Sequence, residues 1–171
     1  MKVVLFGATG MVGQGVLREC LLDPDVVSVL AVVRNASLPQ HDKLREITQQ
    51  DVSDLAAIED GFSGCDACFF CLGVSSVGMK EETYRRVTYD VTVSVAKTLA
   101  KLNPTMTFIY LSGAGTDSTE RGRSMWARVK AERKTRYCSC RSRLFSCFAL
   151  RAFSPFMEFA QRPDGMGRLT L

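Results

Sequence analysis

The sequence predicts an α/β fold with a doubly wound parallel sheet. Short apolar runs of strand length alternate along the chain with stretches that have the spacing of amphipathic helices. The first apolar run leads directly into a glycine-rich turn, and a helical stretch follows at once. Alternation of this kind implies right-handed βαβ crossovers and a sheet that helices cover on both faces. A chain of 171 residues suits one domain with a real core.

Each element is predicted from its local pattern. Residues 2–6 form a short apolar run that ends at a glycine, as expected for a strand buried on both faces. One long helix is predicted by four apolar residues at helical spacing, Val87, Val91, Val95 and Leu99. The predicted strands cover residues 2–6, 26–33, 43–49, 66–72, 107–111 and 145–150. The predicted helices cover residues 11–22, 53–60, 81–102 and 124–133.

The glycine-rich turn is the most informative motif, and it reads Gly7-Ala8-Thr9-Gly10-Met11-Val12-Gly13. A tight turn directly after a strand needs a residue without a β-carbon, which Gly7 provides. Gly10 lets the backbone approach a pyrophosphate, and Gly13 lets the helix pack closely. The helix N-terminus offers free N–H groups and a partial positive charge to phosphates. The motif therefore predicts an NAD(P)-binding Rossmann unit; the alternative is a structural turn without a ligand.

The residue that ends the second strand indicates which cofactor binds. NAD sites usually place Asp or Glu there, where the carboxylate bonds the ribose 2′-hydroxyl. This chain has Arg34 instead, after two valines. A guanidinium can pair with a 2′-phosphate through its planar fork, which favours NADP(H), with NAD(H) as the alternative. A strand-end arginine that is merely solvated would carry no such meaning.

The charge is divided unevenly along the chain. The net charge is +4, but residues 1–132 carry −2 and residues 133–171 carry +6. Residues 1–132 are accordingly predicted to form the NAD(P)-binding domain, and 133–171 a basic, atypical segment that is divergent or truncated as a substrate region. Because the excess charge lies outside the domain, no nucleic-acid partner is expected. No apolar run approaches membrane-spanning length, so a cytoplasmic protein is expected.

Cysteine and histidine residues suggest other sites, which we weigh against ordinary packing. Cys65, Cys68 and Cys71 recur every third residue and invite a metal-site hypothesis. Positions three apart on a strand lie about 10 Å apart on opposite faces, so buried thiols are the better interpretation. His41, the one histidine, lies in a polar loop and is expected at the surface. No metal site is predicted.

Five motifs together resemble those of the atypical and extended short-chain dehydrogenases/reductases. Within that superfamily the chain looks most like the small NAD(P)-binding proteins called nucleoside-diphosphate-sugar epimerase-like or NmrA-like, over about residues 1–132. The motifs are the glycine turn, Arg34, Asp51-Val52, Cys71-Leu72-Gly73 and Leu111-Ser112-Gly113-Ala114-Gly115. The resemblance implies that Asp51 and Val52 lie beside the adenine. It also implies that Leu72 and Gly73 lie near the cofactor's ribose and nicotinamide.

The same resemblance implies three candidate catalytic positions. Ser112 would orient a substrate carbonyl, and Lys130 would bond the nicotinamide ribose. The family's reacting tyrosine stands four residues before that lysine, where this chain has Trp126. An indole N–H donates a hydrogen bond but does not deprotonate usefully, so the usual proton transfer is in question. Tyr110 shares a predicted strand face with Ser112 and is the alternative donor.

Two functions follow from these observations. The first is an NADP(H)-dependent oxidoreductase or epimerase-like enzyme that transfers hydride on a small carbonyl, alcohol or nucleotide-sugar-like substrate. The second is a non-catalytic regulatory protein that senses NADP(H) and acts through a protein partner. Ser112 and Lys130 favour the first function, and Trp126 favours the second. The sequence leaves the substrate open, and also whether the chain forms a homodimer.

Overall fold

The computed structural model describes residues 1–113, Met125, Val129 and residues 145–150. Six strands are assigned there: β1 (Lys2–Phe6), β2 (Ser28–Val33), β3 (Leu44–Thr48), β4 (Ala67–Phe70), β5 (Thr107–Gly113) and β6 (Phe145–Leu150). The helices are α1 (Met11–Leu22), a 3₁₀ helix (Ala56–Phe62), α2 (Glu81–Arg85), a π segment (Arg86–Asp90) and α3 (Val91–Leu102). Every strand predicted from the sequence is therefore present, with bounds that differ by up to two residues.

The six strands form one parallel sheet in the order β3-β2-β1-β4-β5-β6. The chain moves outward from β1 to β3 and then returns to β4 on the other side of β1. This order confirms the predicted doubly wound α/β fold, which is the Rossmann arrangement. The reversal also creates a switch point between β1 and β4, where Val4 is aligned with Cys68.

Alternate residues of β1 pack into two separate cores. Val4 and Phe6 face a cluster formed with α3 and the 3₁₀ helix, where the Phe6 and Phe70 rings lie 5.6 Å apart. Val3 and Leu5 face the opposite cluster, which α1 covers with its buried residues, Val16, Leu17 and Cys20. Both faces of the sheet are thus buried, which explains the continuous apolar runs of the strands.

The long helix predicted for residues 81–102 is interrupted. It consists of α2, the π segment and α3, in direct succession. Val87, one of the four apolar residues at helical spacing, is 40% exposed. The buried residues of this stretch are Tyr84, Thr88, Tyr89, Thr92, Val95, Ala96 and Leu99. Successive steps of four residues drift around a helix of about 3.6 residues per turn, so Val87 lies off the face that Val95 and Leu99 occupy.

Side-chain hydrogen bonds fix the ends of two helices. The carboxylate of Asp54 accepts the Ala56 N–H at 3.0 Å, which starts the 3₁₀ helix three residues later than the predicted helix. At the end of α3, buried Asn103 donates to the Phe62 carbonyl at 2.8 Å and accepts the Gly64 N–H at 2.9 Å. The Asn103 side chain therefore joins the end of α3 to the connection that precedes β4.

The segment after residue 132 contributes to the same sheet. β6 pairs with β5 in parallel, with Ser112 aligned with Ala149. The strand predicted at 145–150 is confirmed, whereas the predicted division of the chain at residue 132 stays a prediction. Of the predicted helix 124–133, the structure describes Met125 and Val129, which are both helical, and Val129 packs with Tyr84 and Tyr89. Within the described ranges, no helix has the length and apolar character needed to cross a membrane.

Candidate functional site

The glycine turn lies at the switch point, between the carboxyl ends of β1 and β4. Gly7 directly follows β1 and has φ of +84°, a conformation that L side chains rarely adopt. A β-carbon at Gly7 would lie 2.8 Å from the Cys71 carbonyl carbon, just beyond β4. The Cys71 N–H donates to the Phe6 carbonyl at 2.9 Å, which holds the two chain segments together. Ligands of open α/β sheets bind in the crevice at this position.

Gly10 and Gly13 differ in what the fold requires of them. A β-carbon at Gly13 would lie 1.9 Å from the Gly7 carbonyl oxygen, so the turn and α1 cannot pack with a side chain there. Gly10 is exposed, with φ −76° and ψ 159°, and a β-carbon there would meet the Gly7 oxygen at an ordinary 3.4 Å. Nothing in the described protein therefore requires a glycine at position 10. A ligand that approaches the backbone closely is a physical reason for it.

The start of α1 is suited to an anion. Gly10 precedes the first turn, no side chain caps it, and the first turn carries no acidic residue. Thr9 and Met11 are exposed at this end, while Val12 is partly buried against the α1 core. Unpaired N–H groups and the helix dipole give such an end a favourable interaction with phosphate.

Arg34 directly follows β2 and is exposed. Its backbone carbonyl accepts a hydrogen bond from the Gln50 side-chain amide at 2.7 Å. The sequence indicates Arg34 but not Gln50, because a bond between the ends of two strands depends on their register. The predicted role of Arg34 toward a 2′-phosphate stays a prediction.

Asp51 lies in the connection after β3, where Ser53 fixes its carboxylate. The Ser53 hydroxyl donates to Asp51 Oδ1 at 2.6 Å and the Ser53 N–H at 2.9 Å. These two hydrogen bonds lower the pKa of the Asp51 carboxyl, which keeps it ionised. Its neighbour Val52 is partly buried and packs on the core that covers β1 and β4. The carboxylate and the apolar side chain thus face different surroundings, and their place beside an adenine stays a prediction.

Leu72 and Gly73 follow β4 on the other side of the turn. Leu72 is partly buried against the core cluster that Val4 and Phe6 face. Gly73 is exposed, with open space where a β-carbon would be. The connection that begins at Gly73 presents three exposed apolar side chains, Val74, Val77 and Met79. The carboxyl edge of the sheet therefore combines a polar phosphate end at α1 with an apolar surface beyond β4.

The candidate catalytic residues are only partly within the described structure. Ser112 is the penultimate residue of β5, at the carboxyl end of that strand. Trp126 and Lys130 lie outside the described residues, so their roles stay predictions. Tyr110 is 6% exposed, and its ring lies 6.3 Å from that of Phe70. Its packing in the core does not support the alternative role as an exposed donor.

The cysteines that suggested a metal site are core residues. Cys65 and Cys68 pack in the core cluster that Val4 and Phe6 face, and Cys71 packs against the cluster that α1 covers. Burial raises the pKa of the Cys71 thiol to about 12, with a further contribution from nearby Cys20. Burial likewise raises the pKa of Cys20 to about 11. These thiols are protonated near pH 7, and no three-residue metal cluster exists among the described residues.

One buried polar atom of the described chain was not foreseen. Thr88 lies in the π segment and is 5% exposed, and its buried hydroxyl has no hydrogen-bond partner among the described residues. The Thr88 carbonyl accepts a bond from the Thr92 hydroxyl at 2.8 Å. Buried hydroxyls without partners are uncommon. The apolar spacing of the sequence gives no signal of such a hydroxyl.

The chain belongs to the NAD(P)H-binding family, whose characteristic sequence pattern matches residues 7–137. The match begins at the first glycine of the turn and includes all the candidate cofactor-binding positions. Membership agrees with the predicted superfamily and with a nicotinamide cofactor. It does not distinguish NADP(H) from NAD(H).

Individual relatives are distant in sequence. Leucinostatins biosynthesis cluster protein T of Purpureocillium lilacinum is 25% identical over 142 residues, which cover 78% of this chain and 51% of that protein. A variant uronate dehydrogenase of Agrobacterium tumefaciens, in complex with NAD, is 17% identical with a TM-score of 0.64, covering 82% of this chain and 57% of that chain. UDP-glucose 4-epimerase of Thermotoga maritima, with UDP-glucose, is 14% identical with a TM-score of 0.64, covering 87% and 53%.

These similarities to solved structures show the fold alone. The chain spans about half the length of the relatives it matches. The matched part of the chain is the part that contains the glycine turn and the switch point. What a whole protein of this kind does to a substrate is therefore a separate question.

Proposed function

We propose that this chain is an NADP(H)-dependent oxidoreductase or epimerase-like protein that transfers hydride on a small carbonyl, alcohol or nucleotide-sugar-like substrate. The observation that carries the proposal is Gly10, a glycine that the fold does not require, at the N-terminus of a helix and at the switch point. Two proteins of similar structure, uronate dehydrogenase and UDP-glucose 4-epimerase, are named for a sugar-acid substrate and a nucleotide-sugar substrate.

The described residues fit a dinucleotide along the carboxyl edge of the sheet. The Gly10 N–H already donates to the Gly7 carbonyl at 3.0 Å, so the first-turn N–H groups of Met11 and Val12 would bind the pyrophosphate. Asp51 and Val52 would flank the adenosine. Leu72, Gly73 and the apolar connection after β4 would contact the nicotinamide half and limit the access of water. The cofactor, when bound, supplies the hydride chemistry. The chain's own task is to bind and orient it.

The choice of NADP(H) over NAD(H) rests on Arg34. This side chain is exposed at the end of β2, where it is available to a phosphate on the adenosine ribose. The Asp51 carboxylate, itself a candidate adenosine contact, is already bonded to Ser53. The uronate dehydrogenase complex contains NAD, so the preference needs a direct test.

We predict that NADPH binds more tightly than NADH, and that Arg34→Ala removes the difference. A hydrogen-bonded charge pair contributes about 1.5–3 kcal/mol, or about ten- to a hundredfold in affinity. Titration calorimetry with both cofactors measures it. Arg45→Ala is the matched control, because Arg45 is also exposed but lies within β3. Equal affinities of the wild-type protein for the two cofactors would contradict the preference.

A non-catalytic NADP(H) sensor is the second candidate, and Trp126 at the family's tyrosine position favours it. Trp126 is the chain's one tryptophan, so its fluorescence reports on that residue alone. If it lies beside the cofactor, NADPH quenches this fluorescence saturably. Trp126→Tyr then supplies a proton donor and raises reductase activity toward generic aldehydes or quinones by about 10²–10⁴-fold.

The outcomes of this experiment separate the two candidates. A gain of activity in Trp126→Tyr identifies a reductase scaffold in which Ser112 and Lys130 are competent. Tight NADPH binding with no activity in either protein favours the sensor. If saturating NADPH leaves the fluorescence unchanged, the alignment that places Trp126 and Lys130 at the site is wrong.

A further inference from the structure

We propose that Gln50 is a positioning residue for cofactor selection, because it fixes the backbone of Arg34 at the end of β2. The proposal rests on the proposed preference for NADPH. The evidence is the hydrogen bond from Gln50 Nε2 to the Arg34 carbonyl oxygen, 2.7 Å long. Gln50 is proposed to act through Arg34, without contacting the cofactor itself.

The bond extends the pairing of β2 and β3 beyond the sheet. The last aligned residues of the two strands are Val33 and Thr48. The Gln49 N–H then donates to the Val33 carbonyl at 2.8 Å. The next carbonyl along the chain, that of Arg34, lies just after the strand and accepts from the Gln50 side-chain amide. This side-chain bond therefore ties the residue that would contact the 2′-phosphate to the segment after β3.

The segment that carries Gln50 is itself held in place. The side-chain amide of Gln49 donates to the Asp51 carbonyl at 2.9 Å and also to the Asp54 carbonyl. The Ser53 N–H and hydroxyl both donate to the Asp51 carboxylate. These bonds join residues 49–54 into one turn, so the Gln50 backbone is a fixed point from which its side chain reaches Arg34.

On the other side of Arg34, the next side-chain support comes three residues later, where the Ser37 and Leu38 N–H groups donate to the Glu46 carboxylate at 3.3 and 2.8 Å. Asn35 and Ala36, between Arg34 and that support, are exposed. Without the Gln50 bond, the backbone at Arg34 has more conformations to lose when the guanidinium pairs with a phosphate, and ordering costs affinity. NADH lacks the 2′-phosphate, so its binding does not use that pairing. The effect of Gln50 is therefore expected on NADPH and not on NADH.

The experiment compares the dissociation constants of NADPH and NADH for two variants at this position. Gln50→Ala shortens the side chain, and Gln50→Met keeps its length but removes the donor. Both are expected to weaken NADPH binding about two- to tenfold, the value of one hydrogen bond, and to leave NADH binding within about twofold of wild type.

Gln14→Ala is the matched control. The Gln14 amide also donates to a backbone carbonyl of the site, that of Thr9 at 3.1 Å. Because this bond lies at the phosphate turn, which both cofactors use, any effect of Gln14→Ala should be equal for NADPH and NADH. The ratio of the two affinities thus separates selection at Arg34 from a general disturbance of the site.

The double variant Arg34→Ala/Gln50→Ala tests whether Gln50 acts through Arg34. It should bind NADPH no more weakly than Arg34→Ala alone. A further loss of NADPH affinity in the double variant would mean that Gln50 contacts the phosphate itself. An equal loss of affinity for NADPH and NADH in Gln50→Ala would mean a merely structural role. Either result overturns the proposal. If the wild-type protein prefers NADPH through Arg34 but both Gln50 variants bind NADPH as tightly as wild type, the role of Gln50 is contradicted and the NADPH preference stands. If wild type shows no preference, the proposed NADP(H) specificity fails first.

Discussion

Gly13 is tied to the fold more strictly than any other glycine of the turn. α1 packs so closely on the turn that an ideal β-carbon at Gly13 would lie 1.9 Å from the Gly7 carbonyl oxygen. Gly7 needs a positive φ and close contact with the end of β4. Gly10 needs neither. The sequence spacing predicts all three glycines as one motif, but only the packing shows that position 10 is the one left free for a ligand.

We predict that Gly13→Ala lowers the melting temperature sharply. The new methyl group would displace the turn backbone or separate α1 from it, a strain of the kind that costs several kcal/mol. Gly73→Ala is the control, because a β-carbon there meets nothing within 4 Å. Thermal unfolding followed by circular dichroism measures both. A Gly13→Ala protein as stable as Gly73→Ala would show that the turn is looser than described.

At the scale of elements, the interrupted helix 81–102 shows where periodicity stops being informative. Apolar spacing predicts the helical character of the whole stretch, and α2 and α3 are both present. A π segment lies between them, and Tyr84 and Thr88 are buried rather than Val87, because successive steps of four residues drift around a helix. A π turn depends on packing against other elements, here Val129, and a local pattern contains no record of that.

We predict that Val95→Ala and Val87→Ala differ in stability although both remove the same two methyl groups. Val95 is fully buried in the α3 core, so its loss should cost about 1–3 kcal/mol of unfolding free energy. Val87 is 40% exposed, and its replacement should change stability by about 0.5 kcal/mol or less. Urea denaturation compares them directly. Equal costs would mean that Val87 is packed as closely as Val95.

At the scale of the whole molecule, the strand order determines where the candidate site lies. Alternating strands and helices predict a parallel sheet, and the first glycine turn predicts which end binds. Two side-chain hydrogen bonds set the details of the proposed adenosine side: Gln50 to Arg34, which are 16 residues apart, and Ser53 to Asp51, which are 2 residues apart. The first of these requires the register of β3 beside β2, which no local pattern specifies.

The most direct test of the central claim is NADPH binding by Gly10→Val. The backbone at Gly10 is in an extended conformation that valine accepts, and a β-carbon there meets the Gly7 oxygen at 3.4 Å. The variant should therefore keep the wild-type circular dichroism spectrum and a similar melting temperature, while its side chain fills the space next to the pyrophosphate. Titration calorimetry should show NADPH binding to wild type and none to Gly10→Val. A folded Gly10→Val protein that binds NADPH with wild-type affinity would contradict the assignment of the glycine turn as the cofactor site.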